Sequence, residues 1–198
     1  MSSIPTIANL AATKVGAEAH IMSLDDDKHV ARTIKAVWDI ERRATIRDGA
    51  WNFAMRRFAL PAETIDASRV IYPWATSFAV PGEMLRLIEV LSPGVGDAYQ
   101  IEGPSILCNI EGPLYVRGLI DVTEPGQWDE SFADAFACRL AWRIGKRIAG
   151  SSFSQNEAWQ EYEQAIGAAR RVDARENPGI AQAESGWVEA RFTPRGIS

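Results

Sequence analysis

Apolar and polar residues alternate with a helical period most clearly between Trp128 and Val172, and this stretch predicts two consecutive α-helices. On a helical wheel the apolar residues of the first helix share one side: Phe132, Ala133, Ala137, Leu140, Ala141, Ile144 and Ile148. Those of the second helix do the same: Ala158, Trp159, Tyr162, Ala165, Ile166, Ala169 and Val172. Gly150 suits the end of the first helix and Ser154 the N-cap of the second. So short a connection predicts an antiparallel helical hairpin that the rest of the chain covers.

A short helix is predicted near the start of the chain, over residues 4–15. Ser3 can act as its N-cap, Pro5 falls in its first turn, and Gly16 follows its end. Its apolar residues cover much of the circumference, which predicts a well-buried helix.

A longer helix is predicted from Lys28 to about Asp48. Ser23 followed by the acids 25–27 resembles a capping box at its start, because a serine is followed three residues later by an acid. Its apolar face comprises Val30, Ala31, Ile34, Val37, Trp38 and Ala44. Glu41 falls among these apolar positions. A buried carboxylate needs a partner, and we expect it to pair with Arg139 in the basic stripe of the third helix.

Between the second and third helices the period changes to that of β-strands. Short β-type runs occur at 70–72, 77–80, 85–91, 99–102, 106–110 and 114–120, and Pro and Gly residues separate them. The predicted fold is therefore α+β. An antiparallel bundle of about four helices (1–55 and 124–176) carries an inserted, small antiparallel β-unit (56–123), and an extended C-terminal tail (177–198) follows.

Two stripes of basic side chains and two aromatic residues of the tail are the candidate contacts with other subunits or partners. We expect these stripes to lie between helices or between subunits and not to bind phosphate. Binding of single-stranded nucleic acid requires aromatic residues among the basic ones, and the stripes have none. The candidates are Lys28, Arg32, Lys35, Arg42 and Arg43 on the second helix, Arg139, Arg143 and Arg147 on the third, and Trp187 and Phe192 in the tail.

Composition and charge narrow the function classes. The chain has 198 residues, of which 46% are hydrophobic and 24% charged, and it has no apolar run long enough to cross a bilayer. Its net charge of −5 argues against a protein that grips nucleic acid through its whole surface. Seven tryptophans are many for this length and suggest large contact surfaces.

Residues suited to catalysis or metal binding are sparse. His20 and His29 are the only histidines, and neither Cys108 nor Cys138 has a histidine close in sequence to activate it. The acids 25–27 are better explained by helix capping than by cation binding. We therefore predict no catalytic residues, no metal and no cofactor, although spatial proximity in the fold stays open.

Three patches between about Ile7 and Glu176 carry a resemblance to a known family. They are Ser23-Leu24-Asp25-Asp26 with Gly49-Ala50-Trp51-Asn52-Phe53-Ala54-Met55-Arg56-Arg57; Val80-Pro81-Gly82-Glu83-Met84-Leu85-Arg86-Leu87 with Tyr99-Gln100-Ile101-Glu102-Gly103; and Tyr115-Val116-Arg117 through the run from Phe132 to Ala141. In these patches the chain resembles the tail tubular protein A family, the head-to-tail adaptors of short-tailed bacteriophages (podoviruses).

The resemblance implies a structural component of the virion that is assembled in the host cytoplasm. Such adaptors form a dodecameric ring beneath the portal protein, with the tail nozzle protein attached below. Double-stranded DNA passes through the ring without specific binding, which suits an acidic protein because each neutralised phosphate adds affinity. Ring subunits need heterologous contacts on two faces. Two alternatives stay open at this point: a phage tail-associated cell-wall hydrolase, and a small helical binding protein with no viral role.

Overall fold

Four α-helices and two small antiparallel sheets form the fold of residues 2–18, 20–66, 68–96 and 98–176, the part of the chain that the computed structural model describes. The helices are α1 (Ile4–Lys14), α2 (His29–Arg47), α3 (Glu130–Ala149) and α4 (Gln155–Glu176). The strands are β1 (Met55–Leu60), β2 (Thr76–Ala79), β3 (Met84–Val90), β4 (Tyr99–Glu102), β5 (Ser105–Cys108) and β6 (Leu114–Ile120). The predicted α+β class is thus confirmed, with all six strands between α2 and α3.

Helix α1 begins as predicted. Ser3 is its N-cap, and the Ser3 side chain accepts a hydrogen bond from the backbone N–H of Thr6. Burial is one-sided, however. Ile7 and Ala11 lie in the core, whereas Leu10 is 37% exposed. The prediction of a well-buried helix therefore holds for one face only.

Helix α2 begins within one residue of its predicted start at Lys28, but without the predicted capping box. Its N-cap is Lys28, which makes no side-chain capping bond. Ser23 and Asp26 instead stabilise the turn that precedes the helix: Ser23 Oγ accepts from the N–H of Asp25 at 3.1 Å, and Asp26 Oδ2 accepts from the N–H of Met22 at 2.8 Å. The predicted capping box is wrong because these side chains bond within their own turn.

Helices α3 and α4 run antiparallel, as the pattern predicted. Contacts move backwards along α4 as they move forwards along α3: Cys138 lies near Glu161, and the rings of Trp142 and Trp159 are 4.8 Å apart. Phe153 then packs over Gly145 near the connection. Asp129 caps α3 through a hydrogen bond from the N–H of Ser131 at 2.8 Å. Both α1 and α2 pack against α3, which is therefore the central helix of the described fold.

The strands form two separate three-stranded sheets. The first has the order β1-β6-β3 and the second the order β2-β5-β4, and all pairings are antiparallel. Sheet residues contribute to a second apolar cluster that includes Phe78, Ile106 and Leu114, distinct from the main core around α3. Hence the region between α2 and α3 has a small core of its own.

Two strand predictions need correction. The run 70–72 forms no strand, because Val70 and Tyr72 lie in an exposed turn segment. Strand β1 was not predicted, because its sequence Met-Arg-Arg-Phe-Ala-Leu contains little alternation. Its strand geometry is set by pairing with β6, from Met55 opposite Leu119 to Leu60 opposite Leu114.

Candidate interaction surfaces

A buried ionic network joins α2 to the hairpin. The Glu41 side chain is 5% exposed, and its Oε2 accepts from Arg139 Nε at 2.7 Å. Its other oxygen lies 3.1 Å from Nε of Arg143, whose side chain is 51% exposed. The carboxylate expected to need a basic partner therefore has one, and the stripe residue expected to supply it, Arg139, does so.

The same network extends to α4. Arg139 Nη1 donates to Asp48 at 2.7 Å and to the hydroxyl of Tyr162 at 2.9 Å, and that hydroxyl donates to Asp48 at 2.5 Å. Burial alone would lower the pKa of Arg139, but its bonds to Glu41 and Tyr162 raise it above its usual value. Arg139 therefore serves as an internal link between three helices.

Arg42 belongs to a second internal network and not to an exposed stripe. The residue is 3% exposed, and its Nε and Nη2 donate to the two carboxylate oxygens of Asp121 at 2.9 and 3.0 Å. Asp39 accepts from the same guanidinium, and Arg43 Nε also donates to Asp121 at 3.0 Å. These hydrogen bonds join α2 to the segment after β6, so Arg42 is buried inside the subunit and is not the exposed contact residue that the sequence predicted.

The exposed part of the α2 stripe is neutralised locally by the acidic turn before the helix. Arg32 pairs with Asp27 and Lys35 with Asp25, and all four side chains are more than half exposed. Lys28 lies 3.8 Å from Asp26. Exposed ion pairs of this kind contribute about 0–1 kcal/mol each to stability, so these side chains can exchange partners at little cost in free energy.

The remaining candidates have no common location. Arg147 is exposed on α3, two turns beyond Arg139. Trp187 and Phe192 lie outside the described residues. Within that part of the chain, then, the basic residues divide into an internal group (Arg42 and Arg139), a half-exposed residue that contacts Glu41 (Arg143), and separate exposed side chains.

A cavity beside Trp38 was not predicted from the sequence. It has a volume of about 530 Å³ and lies between α1, α2 and the segments 22–25 and 123–124. Its apolar wall consists of Ile4, Pro5, Met22, Leu24 and Trp38. Charged residues line it as well, and two of their carboxylates are paired within the rim, Asp25 with Lys35 and Asp39 with Arg42, while Glu124 is the third acid. An apolar floor with a charged rim is typical of a site that receives one side chain of a partner.

The segment that the pattern wrongly assigned to a strand is the second surface feature. Val70 is 83% exposed and Tyr72 is 89% exposed, although most of the other large apolar side chains in the described residues are covered. The sequence held a signal for this: Asp66 and Ser68 before the run and Pro73 after it are turn residues. We call residues 68–75 the Tyr72 loop.

Neither cysteine is placed or tuned as a nucleophile. Cys108 and Cys138 are both buried and free. Burial raises the pKa of Cys138 to about 11, against a smaller lowering effect of Lys14, and burial also raises the pKa of Cys108. The thiolate is therefore scarce at neutral pH. Among the described residues no three His, Cys, Asp or Glu side chains are grouped to hold a metal ion.

No helix of the described residues is both long and apolar enough to span a lipid bilayer. Comparison with known proteins adds no relative: no family model and no curated protein matches the chain.

Proposed function

We propose that this chain is a head-to-tail adaptor of a short-tailed bacteriophage. In this role it forms a ring that joins the portal protein to the tail nozzle and continues the DNA channel, as part of the virion. The residue patches that resemble tail tubular protein A motivate the proposal. The observation that supports it best is the order of the elements: two helices, an inserted pair of small antiparallel sheets, then a helical hairpin.

The internal ion pairs suit a part that acts through its shape. Arg139 and Arg42 tie α2 to α3, to α4 and to the segment after β6, so the helices are fixed relative to one another before any partner binds. Rigid subunits lose less conformational entropy on assembly. The arrangement of the four helices as one bundle is part of this proposal, and so is the closure of the subunits into a dodecameric ring.

A ring that continues the DNA channel also needs surfaces past which DNA can move without being bound. The net charge of −5 and the local neutralisation of Arg32 and Lys35 by Asp27 and Asp25 leave few unpaired cations on α2. Since the affinity for DNA grows with each phosphate neutralised, such a surface favours passage over retention.

The direct test is to mix the purified chain with the portal protein encoded in the same genome and to examine the mixture by negative-stain imaging and native mass spectrometry. We expect rings stacked on the portal, and neither protein alone should produce that stack. A chain that stays monomeric beside assembled portal contradicts the proposal. Zymography on bacterial cell walls tests the hydrolase alternative, and a lytic band abolished by one carboxylate substitution would establish it instead.

The tail is tested separately by removing residues 177–198. Under this proposal the segment reaches a neighbouring subunit or the portal, so its deletion weakens ring formation and leaves the thermal unfolding of the monomer nearly unchanged. Unfolding at a much lower temperature after deletion would show that the segment belongs to the core of the monomer.

A further inference from the structure

A groove between the two sheets is lined by basic and apolar residues and by no acid. It lies between β3 of one sheet and Ile101 of the other and has a volume of about 480 Å³. Its charged lining residues are Arg47, at the end of α2, and Arg86 in β3. Ile101 is 52% exposed and forms part of the apolar lining together with Leu87. We call this feature the Ile101 groove.

The two arginines of the Ile101 groove have no acidic partner among the described residues. Arg47 donates to the carbonyl of Leu85, and Arg86 Nη1 donates to the carbonyl of Arg47 at 3.1 Å, and neither forms an ion pair there. A carbonyl positions a guanidinium group but does not neutralise it, because the carbonyl has no net charge. The groove therefore presents two positive charges next to an apolar wall.

The acids closest in sequence to the groove do not neutralise these charges. Glu83 and Asp48 are paired with other arginines, at 3.0 and 2.7 Å respectively. Glu102 follows Ile101 in β4, and because side chains alternate along a strand, it points to the opposite face of the sheet. A ligand of the groove should therefore bring its own negative charge.

The walls of the groove are held together by backbone hydrogen bonds. The N–H of Val80 donates to the carbonyl of Pro104 at 2.7 Å, and the N–H of Met84 donates to the carbonyl of Pro81 at 2.9 Å. The first bond joins the segment before β3 to the turn between β4 and β5. Because the groove is shaped before anything binds, binding costs less conformational entropy.

The C-terminal tail contains a segment with the matching chemistry, although it lies outside the described residues. Residues 180–190 include two acids, Glu184 and Glu189, and no basic residue, and an apolar Trp-Val pair lies between the acids. The tail follows α4, which ends at Glu176. Residues 177–187 can span about 36 Å when extended, which is enough to reach a neighbouring subunit.

We propose that residues 180–190 of one copy of this chain bind in the Ile101 groove of the next copy. The tryptophan of the segment packs on Ile101, and its two carboxylates face Arg47 and Arg86, which thereby gain acidic partners. Because the tail and the groove are different surfaces, the contact is heterologous and can repeat around a closed ring. The inference rests on the proposed function in that it takes the tail to reach a neighbouring subunit.

Titration of a peptide onto the full-length chain tests the contact. The probe is a capped, fluorescein-labelled peptide of residues 180–190, and its fluorescence anisotropy reports binding. We expect binding that saturates at one peptide per chain. A chain that binds no peptide overturns the proposal, because the groove then either rejects this segment or is already filled by the tail of its own chain.

Substitutions in the peptide test the chemistry without altering the protein. A peptide with Glu184→Gln and Glu189→Gln should bind about tenfold more weakly, because it lacks the charges that face the two arginines. A peptide with Trp187→Ser should bind at least about tenfold more weakly, as the loss of an aromatic anchor does. Unchanged binding of either altered peptide contradicts the inference.

Substitutions in the chain locate the site. Ile101→Asp should abolish peptide binding, because it places a carboxylate in the groove opposite the acids of the peptide. Ile40→Asp is the matched control, since Ile40 is 65% exposed on α2 and does not line the groove. It should bind the peptide as the wild type does. Normal binding by Ile101→Asp, or an equal loss in both variants, overturns the assignment.

Disulfide trapping shows whether the tail reaches a second copy. A Ser185→Cys chain and a Gly82→Cys chain are purified separately, mixed in equal amounts and oxidised; the native Cys108 and Cys138 are buried and do not compete. Gly82 lines the groove, and a Cβ added there meets no atom within 4 Å, so its replacement displaces nothing. We expect mixed dimers several-fold above the statistical share. Mixed dimers at or below that share overturn the proposal.

The matched control for trapping is Gly126→Cys. A Cβ added at Gly126 also meets no atom within 4 Å, and this glycine lies outside the groove. Mixed with Ser185→Cys, it should give no excess of mixed dimer. An excess equal to that of Gly82→Cys would show that the trapping is indiscriminate and would also overturn the assignment.

These results separate the inference from the proposed function. Rings on the portal that form equally well with Ile101→Asp would refute the contact between tail and groove and leave the adaptor function standing. Peptide binding and trapped mixed dimers from a chain that never forms rings with its portal would support the contact and refute the adaptor function.

Discussion

Glu41 and Arg139 form a buried ion pair between α2 and α3, with Oε2 of the carboxylate 2.7 Å from Nε of the guanidinium. Their side chains are 5% and 14% exposed. Because the pair lies where the two helices meet and extends to Tyr162 on α4, it controls how the helices fit together.

Substituting Glu41 by Gln should destabilise the protein by about 2–3 kcal/mol, because the Arg139 guanidinium loses its charged partner while it remains buried. Urea unfolding at neutral pH measures this. Glu83→Gln is the matched control, since Glu83 pairs with Arg56 at a site where both side chains are about half exposed, and it should cost less than about 1 kcal/mol.

The two arginines on Glu41 should differ in the same experiment. Arg139→Met should cost clearly more than Arg143→Met, because Arg143 is half exposed and water can replace its contact with Glu41. Equal losses from the two variants would contradict the assignment of Arg139 as the structural link.

Tyr162 should titrate only at strongly alkaline pH. Burial, together with its hydrogen bond to Asp48, raises its pKa to about 12 against the lowering effect of Arg139. A raised pKa means that the folded state keeps the phenol proton which the unfolded state releases near pH 10, so stability is full below about pH 10 and is lost as the pH rises toward 12. Ultraviolet titration at the tyrosinate band should show a late step from Tyr162.

Tyr162→Phe is the control for that titration. It should remove the late step. Because the hydroxyl bridges Asp48 and Arg139, its loss should also cost about 1–2 kcal/mol at pH 7. A late step that persists in Tyr162→Phe would show that another tyrosine is responsible.

Asp173 should oppose folding at neutral pH. Burial chiefly raises its pKa, helped by Glu176 and Asp129, although the N–H of Asn52 donates to its Oδ1 at 2.8 Å and lowers it. A carboxyl with a raised pKa contributes its full stability below the unfolded pKa near 4, and that contribution is lost as the pH rises through the folded value. Asp173→Asn keeps the accepting oxygen and removes the charge.

We therefore expect Asp173→Asn to stabilise the protein at pH 7 by about 0.5 kcal/mol, since it also removes a negative charge from the C-terminal end of α4. The gain should disappear below about pH 4, where the wild-type carboxyl is protonated in both states. Chemical unfolding at pH 7 and again below about pH 4 measures the difference in stability between Asp173→Asn and the wild type. A loss of stability at pH 7 would show that the charge itself is needed for the bond from Asn52.

Gly145 leaves room for the ring of Phe153 at the turn of the hairpin. A Cβ at this position would overlap the end of that ring. Gly145→Ala should displace Phe153 and cost about 1–2 kcal/mol, even though alanine favours the helix by about 1 kcal/mol. In a Phe153→Ala background the same substitution should stabilise the protein, because only the helix preference remains. Unfolding experiments on the wild type, the two single variants and the double variant reveal this change of sign.

The sequence alone determined the elements whose periodicity is strong. Apolar side chains that repeat every three or four residues predicted the hairpin of α3 and α4. The same pattern predicted that Glu41 is buried and therefore needs a basic partner. Such a repeat can be read from the sequence because a helix that packs by one face has apolar residues on that face, whatever it packs against. Strand β6 was equally clear from its run of apolar and β-favouring residues.

Only the tertiary structure decided the features that depend on distant partners. Strand β1 forms because β6 pairs with it. Arg42 can be buried because Asp121, directly after β6, accepts its hydrogen bonds. The run at Val70 has the apolar character of a strand but pairs with no strand of the described residues, and it is exposed as a loop. The local sequence pattern determines which face of a segment is apolar. Whether that face becomes buried depends on contacts with residues distant in the sequence.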